Sequence, residues 1–419
     1  MNRSARLWVD ITTSVEDLGR IPHGTLRVER GIAAAMAELN DGCTGFVAFD
    51  RREGRFFALS PQAAREFVTA STEPERTREL AGVWKRRAWA MQGRATRLFS
   101  SSALARPAVR ASADDPFADG DTLLLPSEHD RHDFACLARL KRTRRLKLVF
   151  VFYDLLRVLN DDDPKLAAQD PTGLPQTEFM VREADLLLPI SQYSARILRE
   201  HLHRRAASSV PVEPIRLAAD MLPVAIPPAP VEGLVAGGFV LSVGDVVHRK
   251  NHKLLVQVWS ALIASGVPVP TLAIVGRIDL EGNAIVRTVQ RDRKLREVVR
   301  FLPNVGDAAL LWLYRNCRYT VFPSLLEGFG LPVAESLGYG KVCLASSNAA
   351  IPEAGQGAAV SLDPLDADAW AAEVERLNDP AALAAAEHRI SETFRTVTWS
   401  DTVADIRDAI GRCGGLRSA

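Results

Sequence analysis

The sequence predicts an α/β protein of two nucleotide-binding-like domains, each a Rossmann-like parallel sheet, facing one another across a cleft. Short apolar runs rich in β-branched residues alternate with longer helical patterns. Strands that are apolar on both sides belong to parallel sheets covered by helices on both faces. At 419 residues the chain also exceeds one ordinary core, so two domains of roughly 150–220 residues are the natural division.

The alternation is plainest in the second half. FVLSVG (Phe239–Gly244) reads as a strand, followed by a helical run from Asn251 to about Ser265. TLAIVG (Thr271–Gly276), a charged helical stretch and VVRFLP (Val298–Pro303) come next. DAALLWLYRNC reads as a helix, YTVFPS as a strand, LPVAESLGYG as a helix and KVCLAS as a strand. The first half repeats the theme with LWVDIT, GFVAFD, TLLLPS, KLVFVFYD and LLLPIS, and RFFALS is placed to pair with GFVAFD through a turn. PVAIPPAPVEGLVAGG, just before Phe239, has no periodicity and reads as a linker. The resulting division is 1–222, with a basic insertion at about 71–115, a linker at 223–237, a second domain at 238–395, and a last helix at 396–419 crossing back to the first domain.

A hydrophobic share of 47% and a charged share of 25% are those of a globular chain rather than a disordered one. The net charge of +1 gives nucleic-acid binding no support. Five scattered cysteines without a CxxC pair argue against a disulfide framework or a zinc site and fit a reducing cytosol. No run approaches the roughly 20 apolar residues that span a bilayer, so the expectation is a cytoplasmic enzyme, with peripheral contact on the inner face of the membrane left open. A P-loop nucleotidase is disfavoured because GxxxxGK[ST] does not occur.

The chemistry concentrates in SLLEGFGLPVAES (Ser324–Ser336). It follows a strand, and Pro332 stands where a helix begins, a position that suits a residue without an N–H. Gly328 and Gly330 are expected to let the backbone approach a ligand and adopt positive φ. The amides of Gly330 and Leu331 then point at an anion, helped by the helix dipole, which describes a phosphate site. Glu327 and Glu335 frame it. A carboxylate accepts two O–H bonds from vicinal hydroxyls, which suits a ribose or a pyranose ring.

This signature, EGFGLP with a second glutamate eight residues on, resembles the retaining glycosyltransferases of family 4, which have the GT-B fold. The resemblance runs over roughly Phe239 to Pro364 and includes RKNH, FLPNVGD and SSNAAIPEAGQGAAVSLDP. It implies that Glu327 contacts donor-sugar hydroxyls, that Gly328 and the Phe329–Leu331 backbone contact sugar or phosphate, and that Glu335 binds the ribose. It also implies that Lys250 holds the donor diphosphate. Many members carry an arginine directly after the strand glycine, where this chain has Asp245; Arg249 is expected to supply that charge instead.

In the first domain, Gly24 and Thr25 precede a helical run and are expected to lend another helix N-terminus to the donor phosphates. Arg27 and Arg30 face cleft or solvent, with solvent favoured. Asp154, ending KLVFVFYD, is the candidate for orienting or deprotonating the acceptor hydroxyl. His23 is a loop histidine. His201 and His203 alternate as strand ligands do but lack a third ligand, and Asp161–Asp163 read as a solvated acidic turn, so no metal is expected. The arginine-rich stretch with Trp84, Trp89 and Phe99, and the cluster RLKRTRRLK (Arg139–Lys147), fit either a lipid-facing or a solvated surface.

The expected activity is transfer of a hexose, mannose or rhamnose among the options, from a nucleotide-diphosphate sugar (GDP-mannose, dTDP-rhamnose or a UDP-hexose) to a glycan or lipid-linked acceptor hydroxyl. Retention of configuration and a place in bacterial surface polysaccharide assembly follow from the resemblance. Asp154, Lys250 and Glu327 are the catalytic candidates, with no metal or other cofactor. A sugar-nucleotide epimerase of the same fold and a non-catalytic scaffold are the alternatives.

Overall fold

A computed structural model describes residues 5–17, 24–70, 115–127, 132–153, 173–204, 210–218, 227–280 and 282–414. The chain forms two compact units. The first comprises Met1–Pro189, Ile197–Arg216 and Trp399–Ala419, and the second Ile190–Arg196 and Leu217–Thr398.

The first unit is built on β1 (Leu7–Asp10), α1 (Thr12–Glu16), α2 (Gly24–Leu39), β2 (Thr44–Asp50), β3 (Arg55–Leu59), α3 (Pro61–Ala70), β4 (Thr122–Leu125), α4 (Phe134–Arg144), β5 (Lys147–Phe152), α5 (Gly173–Glu183), β6 (Leu186–Pro189) and α6 (Gln192–Arg204), whose first turn groups with the second unit. The sheet order is β3-β2-β1-β4-β5-β6. All neighbours are parallel except β3, which turns back antiparallel on β2 at the edge. β1, β4 and β6 are buried along their whole length, as expected of strands covered on both faces.

The second unit contains β7 (Phe239–Val243), α7 (His252–Ala264), β8 (Thr271–Val275), α8 (Gly282–Arg291), α9 (Arg293–Val298), β9 (Val299–Leu302), α10 (Asp307–Asn316), β10 (Thr320–Phe322), α11 (Leu331–Gly338), β11 (Cys343–Ser346), α12 (Ile351–Gly355), β12 (Val360–Leu362), α13 (Ala367–Arg376) and α14 (Pro380–Thr393). α15 (Trp399–Arg412) belongs to the first unit. The second sheet is wholly parallel, in the order β12-β11-β10-β7-β8-β9. Counted from its own first strand this is the order of the first sheet, and in both the direction of winding reverses beside the first strand. That reversal opens a crevice at the strands' carboxyl ends where such folds take ligands. The core packs on both faces of the sheet. Trp259 and Trp370 anchor one side, each fully buried with its indole N–H donated to a carbonyl, Pro270 and Asp363 respectively. Leu310, Leu313 and Tyr314 of α10 cover the other.

The charged stretch after β8 forms two helices, because Asp292 stops the first and caps the second through the amides of Lys294 and Leu295. The described part of the Pro/Gly-rich stretch is fastened to the second unit: Ala229 N–H donates to Ala308 and Gly237 N–H to Asn316. α15 lies on α2, where a Cβ on Gly31 would meet Trp399 at 2.2 Å; glycine in mid-helix here makes room for an indole. Arg216–Asp405 and Arg412–Glu213 pairs hold α15 further.

Arg30 corrects the solvent reading: it is fully buried on the inner face of α2 beside Glu29, also fully buried. The Glu29 carboxylate accepts from Ser14 N–H at 2.6 Å and from the Ser127 hydroxyl, which lies 2.6 Å from Thr13 Oγ. Asp10, at the end of β1, sits 3.0 Å from His132 Nε2. Burial, and then the Asp10 charge, push the Glu29 carboxyl up to about 7 from 4.5. The folded state therefore holds a proton that the unfolded state has released. The stability this gives is full below about pH 4.5 and is lost as pH rises to about 7. Glu29→Gln is expected to abolish that slope, which amounts to roughly 3 kcal/mol. Urea midpoints compared at about pH 5 and pH 8 read it; parallel curves for both proteins would contradict it.

Candidate functional site

At the reversal point of the second sheet two loops meet. One runs from β7 through Gly244 and Asp245 to a 3-10 turn at His248–Lys250; the other joins β10 to α11. Their contact centres on Glu327. Its Oε1 lies 2.6 Å from Lys250 Nζ and 2.8 Å from an Arg249 guanidinium nitrogen, and the Ser324 hydroxyl donates to it at 2.6 Å. The Arg249 carbonyl accepts from Leu325 N–H at 2.7 Å, which locks backbone to backbone. The Lys250 ammonium also lies 4.7 Å from the centroid of the Phe322 ring.

Burial alone would raise the Glu327 carboxyl, but Lys250 and Arg249 outweigh it and hold it below 4.5. Burial lowers the Lys250 ammonium, opposed by the charge of Glu327. His252, next in line, is buried and pulled down to about 3, first by burial and then by the Lys250 charge, so it is a neutral imidazole. Two cations against one carboxylate leave one excess positive charge at this point.

Glycine makes the approach possible. Gly244 has φ +150°, and a Cβ there would come within 3.3 Å of Lys250 Cε. Gly276, at the end of β8, would drive a Cβ to 2.2 Å from the Gly244 carbonyl oxygen. Gly330 is the N-cap of α11 with φ +115°, and Pro332 follows in the first turn. Pro332 has no N–H and the Val333 N–H donates to the Gly330 carbonyl at 2.9 Å, so Leu331 carries the first-turn amide placed for an anion.

The structure brings Arg249, Lys250, Glu327 and the Gly328–Leu331 segment together within the second unit. Phe329 leans on the core and Gly328 is half-buried. Gly328 is not among the positive-φ residues, so of the two glycines expected to be left-handed only Gly330 is. The Gly328 carbonyl instead lies 2.6 Å from Ser191 Oγ and 2.9 Å from Ser194 Oγ, on the segment that groups with this unit. Glu335 is buried one turn into α11 and accepts from the Tyr314 hydroxyl at 2.6 Å. Asn251 occupies the cap position of α7 without capping it through its side chain, which donates to the Pro364 carbonyl. Asp245 is taken up by Arg277, whose guanidinium reaches it at 2.6 Å. That pair depresses the Asp245 carboxyl against the effect of burial.

In the first unit, Gly24 and Thr25 open α2, Gly24 exposed and Thr25 half-buried. Asp154, His23, Asp161–Asp163 and the basic insertion through residue 114 lie outside the described residues. In RLKRTRRLK, Arg139 pairs with Asp115 and Lys141 with Asp185, while Lys147 donates to the Gly414 carbonyl. His201 and His203 lie on a helix, not a strand; His201 is buried and His203 exposed, so they share no face. Among the described residues no helix is long and apolar enough to cross a membrane. Ser324, Phe322, Arg277 and Tyr314 were not singled out from sequence; Ser324 alone stood inside the quoted motif.

Two Rossmann-like parallel-sheet units in one chain define a GT-B-type α/β protein. Residues 236–393 match the family described as "Glycosyl transferases group 1". Among curated relatives, the chain is 29% identical over 196 residues to O-antigen chain mannosyltransferase B of Escherichia coli, covering 46% of this chain and 51% of the relative. The chain thus spans about half of that relative's length, and 66% and 14% of the next two. Among solved structures, sucrose-phosphate synthase from Thermosynechococcus elongatus matches with TM-score 0.63 and 18% identity, covering 97% of this chain and 98% of that one. The Anabaena protein Alr3699/HepE, in complex with UDP and glucose, matches with TM-score 0.58 and 14% identity, covering 98% and 100%. At these identities the likenesses speak for the fold alone.

Removing Glu327's charge isolates a buried ammonium. Glu327→Gln is expected to destabilise the protein by about 3 kcal/mol near neutral pH. Because the folded pKa lies below 4.5, the wild-type advantage is present above that pH and fades as pH falls through the folded value. Urea unfolding at neutral and acid pH reads both; equal neutral midpoints would mean the cluster contributes no stability.

Proposed function

We propose that this chain transfers a hexose from a nucleotide-diphosphate sugar to a hydroxyl of a glycan or lipid-linked acceptor. The carrying observation is the convergence of Lys250, Arg249 and Glu327 beside the N-terminus of α11. A diphosphate leaving group gains negative charge as the glycosidic bond lengthens. A fixed ammonium and fixed amides stabilise that charge more in the transition state than in the ground state. Lys250 has the greater part in this, since it is almost enclosed while Arg249 is 40% exposed.

Glu327 has two parts to play. It holds both cations in place, and with donor bound it accepts from the sugar hydroxyls. Glu335 accepts from the hydroxyls of the ribose. The departing phosphate oxygen takes the acceptor's proton on the face it leaves, which gives retention without a protein nucleophile. Asp154, two residues beyond β5 in the chain, is assigned to orienting the acceptor. Cationic side chains supply the charge stabilisation a divalent ion would otherwise give.

Mannose is the sugar this reading favours, because the curated relative is named for mannosyl transfer in O-antigen chains; GDP-mannose is then the donor and a surface polysaccharide the product. The test is transfer assayed with GDP-mannose, UDP-glucose and dTDP-rhamnose on a lipid-linked glycan. Anomeric NMR of the product reads retention, and an inverted product would end that part of the reading.

Lys250→Ala is expected to lower turnover by roughly 30–1000-fold, the loss of about 2–4 kcal/mol of transition-state stabilisation. It is measured on protein shown by circular dichroism to be folded, and unchanged turnover would remove Lys250 from the mechanism. Activity is expected to survive EDTA; loss restored by Mg²⁺ or Mn²⁺ would overturn the metal-free route.

A further inference from the structure

Tyr314 lies on the inner face of α10, fully buried, with its hydroxyl 2.6 Å from Glu335 Oε2. Its ring stacks on Tyr339, centroids 5.5 Å apart and planes 19° apart. Tyr339 ends the helix that carries Glu335, and its N–H donates to the Glu335 carbonyl at 3.1 Å. The three residues therefore close a loop: hydroxyl to carboxylate, ring to ring, backbone to backbone. Such a loop leaves Tyr314 little freedom and gives Glu335 a fixed direction. A buried carboxylate needs donors, and a phenol supplies a short charge-assisted one while leaving the group acceptor-only toward anything else.

We infer that Tyr314 is a positioning residue for nucleotide recognition, holding the Glu335 carboxylate in the orientation that accepts the ribose hydroxyls of the donor. This rests on the proposed donor site. A carboxylate free to turn would lose rotamer freedom on each binding event, whereas one fixed beforehand binds without that cost. The inference separates two parts of one ligand. Tyr314 acts on the ribose through Glu335, while Lys250 and the α11 amides act on the phosphates.

The test titrates wild type, Tyr314→Phe and Lys250→Ala with UDP, GDP and inorganic pyrophosphate by calorimetry. Tyr314→Phe is expected to weaken the preferred nucleoside diphosphate roughly tenfold and to leave pyrophosphate unchanged; Lys250→Ala weakens both. A merely structural tyrosine would weaken neither ligand, or both alike, and either result overturns the inference. The 2′-deoxy form of the preferred nucleotide adds a second reading. Wild type is expected to bind it less tightly than the ribonucleotide, and Tyr314→Phe to show a smaller gap; an equal gap in both counts against Tyr314. Should Tyr314→Phe not fold, Tyr339→Leu, which removes the stacked ring, carries the same expectation and the same contrary outcomes. Wild type that binds no nucleoside diphosphate would overturn the donor reading itself, a result distinct from failure of the tyrosine's role.

Discussion

One carboxylate oxygen, Glu327 Oε1, ties two loops of the second unit together by accepting from Lys250, Arg249 and Ser324. Everything else at this crevice is arranged around that contact. Bringing an ammonium and a carboxylate out of water is costly unless they meet with good geometry and further hydrogen bonds. Ser324 provides such a bond, the Phe322 ring faces the ammonium, and Gly244 leaves room for the lysine stem. Desolvation of the charges thus occurs on folding, and a later anion meets a charge already fixed in place.

The two sheets share one strand order, yet their crevices carry opposite chemistry. In the first unit the end of β1 brings Asp10, and α2 brings Glu29, into a dry cluster with Ser127 and His132. Burial first, and then the Asp10 charge, keep the Glu29 proton on to about 7. In the second unit the equivalent strand ends bring cations and neutral His252. Topology fixes where a crevice opens; side chains decide what it takes.

The sheet was legible because doubly apolar runs such as TLLL and CLAS leave a strand no polar face, and the structure buries every residue of both. The α11 start was legible because proline and glycine each have narrow conformational uses. What joins them was not. Arg249 and Glu327 are 78 positions apart, and the family resemblance assigns Glu327 to sugar and Lys250 to phosphate without implying that they bind each other. Arg30 misled because an arginine on an amphipathic helix normally faces water, and only the tertiary fold makes its face of α2 the buried one. Asn251 occupies the cap position of α7 with a φ of +54°, and its side chain donates to the Pro364 carbonyl rather than to the helix.

Asp245 shows how the same crevice absorbs a substitution. An arginine at that position would add a cation beside Lys250 and Arg249. With aspartate there, Arg277 folds onto it from the end of β8, and the pair is close to neutral. The pair also crosses between the strand ends that Gly244 and Gly276 bring into backbone contact, so it braces the rim while adding no net charge to it. The positive field is then left to the loop carrying Arg249 and Lys250. Lys250 is a compact point charge that is nearly enclosed, whereas Arg249 is 40% exposed and Arg277 71%; solvent screens the two arginines more, and the strongest local field comes from the lysine.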